Sequence, residues 1–318
     1  MYRVGIDLGK SDIRIGIIDE QYKIVYHDVL MMESEKTYQD TIKEIAEFIQ
    51  DAIHKSGIGV DDLTGIGVGC PGAIDGENGC VVLSRQLNWR NVPFVKELHK
   101  YINYPIAISN DANCVALGEV KAGAAKNLQN VVLLTFKIGV GGGIISNGKI
   151  FEGGHAGGAE LGHTLLVRDG ITCECGRRGC LEAYASVEAL KRQVQEAAGR
   201  HPESLLWESH KDASGEMKIS REAFWRAVER EDTVATEVLQ TYISYLGDGI
   251  VDFVNIFQPD RVLLSECPTE DEALFLEPLN TYVKTYCFVE DKSMVPGITG
   301  TLLGNRAGII GAAALTEE

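Results

Sequence analysis

One arrangement of segments occurs twice in this chain, and it limits the folds open to it more than any other feature. Val4-Gly-Ile6-Asp7 and Ile13-Arg-Ile15-Gly-Ile17-Ile18 are apolar, β-branched runs joined by the turn Gly9-Lys-Ser11, which predicts a hairpin; Lys23 to His27 adds a third strand. Tyr38 to Ser56 then places Ile42, Ile45, Phe48, Ile49, Ala52 and Ile53 at helical spacing, with Gly57 where a C-terminal cap belongs. Gly65 to Gly69 reads as a buried strand, and Ile106 to Ser109 as another that ends at Asn110-Asp111. A second copy begins at Val131-Val-Leu-Leu-Thr135, turns through the glycines between 139 and 143, and continues with Ile144-Ile145. Strands, a crossover helix and further strands in this order make an α/β fold.

The polar, aperiodic stretch from Ala198 to Lys218 reads as a surface excursion between helices. At 318 residues, 45% hydrophobic and 24% charged, the chain is ordinary for a globular protein and long enough for two domains. A formal charge of -16 argues against a nucleic-acid partner, which needs clustered Lys and Arg, and disfavours anionic membranes. No run approaches the roughly 18 apolar residues of a membrane span, and Met1-Tyr-Arg-Val-Gly-Ile-Asp7 enters a strand where a leader would carry an apolar core. Eight cysteines in a chain of this size, three of them clustered, favour a reducing cytoplasm; Cys70, Cys80, Cys114, Cys267 and Cys287 are then buried or spare thiols.

The densest chemistry lies between Glu160-Leu-Gly-His163 and Cys173-Glu-Cys175-Gly-Arg-Arg-Gly-Cys180-Leu-Glu182. One imidazole and three thiols in so short a span can close a tetrahedral site with no position left for water, which is how structural zinc is held. The three cysteines can also be ordinary loop residues; the two glycines between the pairs favour a tight ligand-bearing knuckle. Asp111, at the end of an apolar strand, would sit at the mouth of a sheet, where it serves either as a proton acceptor or as a helix cap.

With these residues the chain resembles the ROK group of bacterial sugar kinases and sugar-responsive repressors. Glu-x-Gly-His followed by Cys-x-Cys-Gly-x-x-Gly-Cys-x-Glu is reproduced without a gap, and Asp7-Leu-Gly9, Cys70-Pro71-Gly72 with Asp75, Asn110-Asp111-Ala-Asn113, Gly139-Val-Gly141-Gly142-Gly143 and the tail from Gly304 to Ala313 match as well. The resemblance implies an actin-like ATPase (ribonuclease H-like) fold, two domains with a cleft between them. The smaller would comprise residues 1–118 with the returning 304–318, and the larger, carrying the knuckle, residues 119–303, the boundary falling near Ala116 to Lys121. It further implies transfer of the ATP γ-phosphoryl group, with Mg2+, to the 6-hydroxyl of a glucose-like hexose. Asp111 would be the general base; Asn110, Asp111, Glu160, His163 and Glu182 would hold the sugar; Asp7, Gly9, Ser11, Gly139, Gly141 and Gly142 would hold the nucleotide. His163, Cys173, Cys175 and Cys180 would bind the zinc, His163 serving metal and sugar through different ring nitrogens. A homodimer is also expected.

The nucleotide side departs from the family pattern. Lys10 stands at a usual glycine in Asp7-Leu-Gly9-Lys10-Ser11, and Lys137-Ile138 stand where Gly-Thr is usual before Gly139. Ser265-Glu266 replace a Gly-Gly pair. Lys137 either supplies charge to phosphate or obstructs it, and Ile138 donates nothing. Arg85 and Gln86 fall in a segment expected near the sugar. Loss of one preorganised contact to a developing phosphoryl charge costs roughly 2.7 to 4 kcal/mol. The alternative is therefore a sugar-binding sensor without turnover; the helix-turn-helix of the repressor branch is not expected ahead of a strand that starts at Val4.

Overall fold

The computed structural model describes residues 1–32, 36–136, 139–154, 157–208, 221–266 and 272–317. Its first half is built on β1 (Tyr2–Leu8), β2 (Asp12–Ile18) and β3 (Ile24–Met31), an antiparallel meander, followed by α1 (Tyr38–Ser56) and β4 (Leu63–Cys70). Thr37 caps α1 by accepting from the Asp40 amide at 3.2 Å, and Gly57 ends it at φ 70°, the left-handed conformation that glycine adopts without a Cβ penalty. The face of α1 bearing Ile42, Ile45, Ile49 and Ala52 is buried against Val4, Ile13, Ile15 and Val68 of the sheet. That is the periodicity legible in the sequence.

A small antiparallel sheet that the sequence did not announce comes next: β5 (Ala73–Asp75), β6 (Cys80–Ser84) and β7 (Trp89–Val92), then the short α2 (Phe94–Leu98). β8 (Ile106–Asn110) leads directly into α3 (Asp111–Ala122). The second half runs β9 (Val131–Thr135), β10 (Gly141–Ser146), β11 (Lys149–Ile150), α4 (Glu182–Ala185), α5 (Val187–Arg200), α6 (Arg221–Glu229), α7 (Thr233–Phe257), β12 (Arg261–Ser265), α8 (Glu277–Tyr286), β13 (Gly297–Gly300) and α9 (Arg306–Ala314). Of the expected surface excursion, the start belongs to α5, and residues 209–220 lie outside the described residues.

The two main sheets share one topology. The first is ordered β3-β2-β1-β4-β8 and the second β11-β10-β9-β12-β13. In each, a meander pairs antiparallel and the two outer strands add in parallel. This duplicated mixed sheet in two domains is the actin-like ATPase fold.

α3 joins the halves. Ala116, Leu117 and Val120 pack with Val131 and Leu133 of β9 and Leu263 of β12, while the helix also lies along α9. α9 in turn covers β1 and β4 of the first sheet. Where the two helices cross, a Cβ on Gly311 would collide with the Cys114 carbonyl and one on Gly118 with the Ala307 carbonyl, so their backbones touch. The residues expected to mark a boundary, Ala116 to Lys121, lie inside this one continuous helix. Glu119, fully buried, accepts from the amides of Ala124 at 2.7 Å, Leu302 at 3.1 Å and Leu303 at 2.8 Å, and so fastens α3 to the segment that enters α9.

Candidate active site and metal centre

Because β1, β4 and β8 run parallel, their C-terminal ends share one edge of the first sheet, the edge where open α/β sheets bind ligands. Asp7 lies near the end of β1, and Asp111 follows β8. The helix cap there is Asn110, not Asp111. Its Oδ1 accepts from the amides of Ala112 at 2.8 Å and Asn113 at 3.2 Å, and its Nδ2 donates to the Gly72 carbonyl at 3.0 Å. Asp111 is thereby the first residue of α3, at the helix N-terminus.

A cavity of about 240 Å3 opens at this edge, walled by Asp7, Gly9, Lys10, Asp111 and Glu266 together with Asp12, Arg14, Gln86 and Asn305. Three residues singled out as departures, Lys10, Gln86 and Glu266, thus line the same space as Asp7 and Asp111. Glu266 leaves β12 at φ 55°. Ser265 before it is buried and pairs in register with Thr135. Ser11 is not in the cavity wall; its hydroxyl donates to Asp12 Oδ1 at 3.3 Å. Arg14, absent from the sequence reading, sits opposite Asp7 in the β1–β2 register, and its Nε donates to Asp12 Oδ2 at 2.7 Å. A three-residue turn over Gly9 to Ser11 would set residue 13 across from residue 7; the observed turn runs one residue longer, the Gly9 amide donating to the Asp12 carbonyl at 2.9 Å, and so brings Arg14 there. Lys137 and Ile138 lie outside the described residues.

The second glycine segment packs against the knuckle. Glu182 Oε2 accepts from the Val140 amide at 3.0 Å, and a Cβ on Gly139 would collide with that same oxygen. Gly141 and Gly142 open β10 opposite Thr135 and Leu134.

The ligand atoms of His163, Cys173, Cys175 and Cys180 lie within 4.8 Å of one another. Cys173 Sγ is 3.6 Å from His163 Nδ1, and Cys175 Sγ is 3.7 Å from Cys180 Sγ. A tetrahedron with Zn–S bonds of about 2.3 Å has edges of roughly 3.8 Å, so the set fits a four-coordinate zinc with no open position. Burial pushes the Cys173 and Cys180 thiols up, whereas the Arg177 amide, with the neighbouring thiols, draws Cys175 down. A cation would have to overcome the first two, as thiolate ligation does. His163 Nδ1 faces the thiols, leaving Nε2 as its other functional nitrogen.

The knuckle and the sheet edge converge on Glu160. The surrounding protein desolvates its carboxyl and raises its pKa; the His163 charge opposes this, and the carboxylates of Asp111 and Glu182 add to it. Those four side chains therefore share one electrostatic neighbourhood. Glu182 is held on both oxygens, since Oε1 lies 3.3 Å from Cys173 Sγ. Two bridges tie the halves beside this point: Ser109 Oγ donates to Glu152 Oε1 at 3.1 Å, and Arg85 donates to the Glu174 carbonyl, between two of the cysteines, at 3.4 Å. Neither Glu152 nor the Glu174 carbonyl has a sequence signal, because both contacts join segments far apart in the chain.

A family model described as the ROK family matches residues 3–318. This chain belongs to the ROK family. It is 32% identical to a glucokinase of Thermotoga maritima, over 99% of this chain and 97% of that protein. It is 28% identical to a xylose repressor of Caldicellulosiruptor bescii, over 98% of this chain and 77% of the repressor. Among solved structures, a ROK family glucokinase from Streptomyces griseus in complex with glucose and AMPPNP superposes with a TM-score of 0.75 at 27% identity, covering 99% of both chains. No helix among the described residues is long and apolar enough to cross a membrane.

Proposed function

We propose that this chain is a sugar kinase that transfers the γ-phosphoryl group of ATP to the 6-hydroxyl of a glucose-like hexose. The observation that carries this is the position of Asp111, which lines the cavity with Asp7 and whose charge also reaches Glu160, beside His163 and Glu182. A carboxylate so placed can take the proton of a sugar hydroxyl as that hydroxyl attacks a terminal phosphate. Glu160 and His163 Nε2 hold sugar hydroxyls in this reading. Glu182, engaged by the Val140 amide, contributes mainly by fixing the loop beside them. Zinc in the His163, Cys173, Cys175 and Cys180 set keeps Glu160, His163 and Glu182 in register. The carboxylates of Asp7 and its neighbours suit the oxygen-preferring Mg2+, which supplies charge neutralisation to the donor phosphates.

A second reading, a sugar sensor without turnover, draws on Glu266, whose carboxylate lines the donor cavity and repels phosphate. Release of ADP separates the two. Purified protein with ATP, Mg2+ and a panel of hexoses and N-acetylhexosamines should release ADP with glucose-like sugars, and Asp111→Asn should abolish it. Sugar binding without ADP release for any member of the panel would establish the sensor.

A further inference from the structure

Among the described residues, two cations stand in the wall of the donor cavity, Lys10 in the turn after β1 and Arg14 on β2. Around them are the carboxylates of Asp7, Asp12, Asp111 and Glu266. A bare polyanion would be repelled by that excess of acid, and a bare cation would be repelled by the two bases. The mixed wall suits a polyphosphate that arrives with a divalent cation: oxygens of the wall to the metal, nitrogens to the phosphate.

Asp12 takes the Nε edge of Arg14 at 2.7 Å, which fixes the guanidinium plane while its terminal nitrogens keep further donors for a ligand. In the β1–β2 register Arg14 is directly across from Asp7, so the two side chains lie on the same face of the hairpin. Lys10 is exposed, and only two residues separate it from Asp7.

Resting on the kinase reading, we propose that Lys10 and Arg14 together clamp the terminal phosphate of the phosphoryl donor, supplying by side-chain charge what glycine amides supply in other phosphate loops. Lys10 is then a specificity-determining residue and not an obstruction. The two interpretations predict opposite signs. A charged contact to phosphate, once removed, weakens binding, whereas an obstruction, once trimmed, strengthens it.

The test is the affinity of the full chain for Mg2+ with AMPPNP, and separately with inorganic tripolyphosphate, by titration calorimetry. Wild type is compared with Lys10→Met, Lys10→Arg, Arg14→Met and Arg14→Lys. Lys10→Met and Arg14→Met are expected to weaken both probes about tenfold or more, with the charge-keeping variants intermediate and glucose affinity unchanged. Weakening toward AMPPNP and tripolyphosphate alike assigns the clamp to the phosphate chain. Unaltered or tighter binding by Lys10→Met, or loss of glucose affinity in parallel, would overturn the proposal, as would a wild-type protein that binds neither probe. The kinase reading fails separately, through absence of sugar phosphorylation while the probes still bind.

Discussion

The two halves of this molecule have the same sheet and opposite chemistry. Each is a meander with two parallel strands added, yet the edge of the first presents Asp7, Lys10, Arg14 and Asp111, whereas among the described residues the corresponding turn of the second holds Gly139 packed against Glu182, beside a cluster of thiols. Strand order follows from apolar patterning, which both halves share. Chemistry resides in the turns, where duplication leaves residues free to diverge. On the proposed reading, the turn of one half would meet the charged donor and that of the other would brace the residues proposed to hold sugar.

The comparison can be broken most severely at Asp111. Asp111→Asn removes the proposed proton acceptor without altering the Asn110 cap, and on the kinase reading turnover should fall by about two to four decades while glucose affinity, measured by calorimetry, stays within a few-fold. An equal loss in both quantities would mean that Asp111 binds sugar and does no more.

Disrupting the second half should have a different signature. Cys180→Ser, or prolonged chelation, should release bound zinc detectable by a colorimetric chelator, lower the melting temperature, and weaken glucose about tenfold or more with little change for tripolyphosphate. If both ligands weaken together, the halves are not separable in the way described. A mutation at the helix crossing spares neither half. Gly311→Val drives a side chain into the Cys114 carbonyl and should cost about 3 kcal/mol or more, seen as a lowered melting temperature with unchanged zinc content in whatever protein remains folded.

The smallest effect belongs to the end of α9. Glu317 accepts from Tyr22 Oη at 2.8 Å and pairs with Lys121 and Arg3. Burial raises its carboxyl, but these hydrogen bonds and charges prevail and hold it below the ordinary range. A depressed carboxyl contributes stability above its unfolded pKa, about 4.3, that is lost as pH falls through the folded value. Glu317→Gln should therefore lower the melting temperature by a few degrees at most near pH 7, and the deficit should fade below about pH 4. A deficit independent of pH would point to packing instead of charge.

Much of this was legible in the sequence, and the reasons are local. The periodicity of α1, its Gly57 cap and the β1–β2 hairpin are each specified within a short window, and the four residues of the metal cluster within one loop. Asp111 was singled out, but the proton-acceptor and helix-cap readings were not separable until Asn110 proved to be the cap. What escaped was non-local or spread over many weak signals. The β5–β7 sheet has short strands without a long apolar run. Glu119, which no sequence pattern singles out, is a buried clasp because loop amides from Leu302 and Leu303 close on it. Arg14 was missed because the turn after β1 is one residue longer than the Gly9 to Ser11 turn read from the sequence, which shifts the register across from Asp7.

The kinase reading requires a working donor site beside the residues proposed to hold sugar, and its product is the decisive thing to look for. The full chain incubated with ATP, Mg2+ and 13C-labelled glucose should, by NMR, give a phosphate monoester coupled to C6, absent with Asp111→Asn. Glucose that binds and is recovered unphosphorylated would contradict the account and leave this chain a zinc-braced sugar-binding protein.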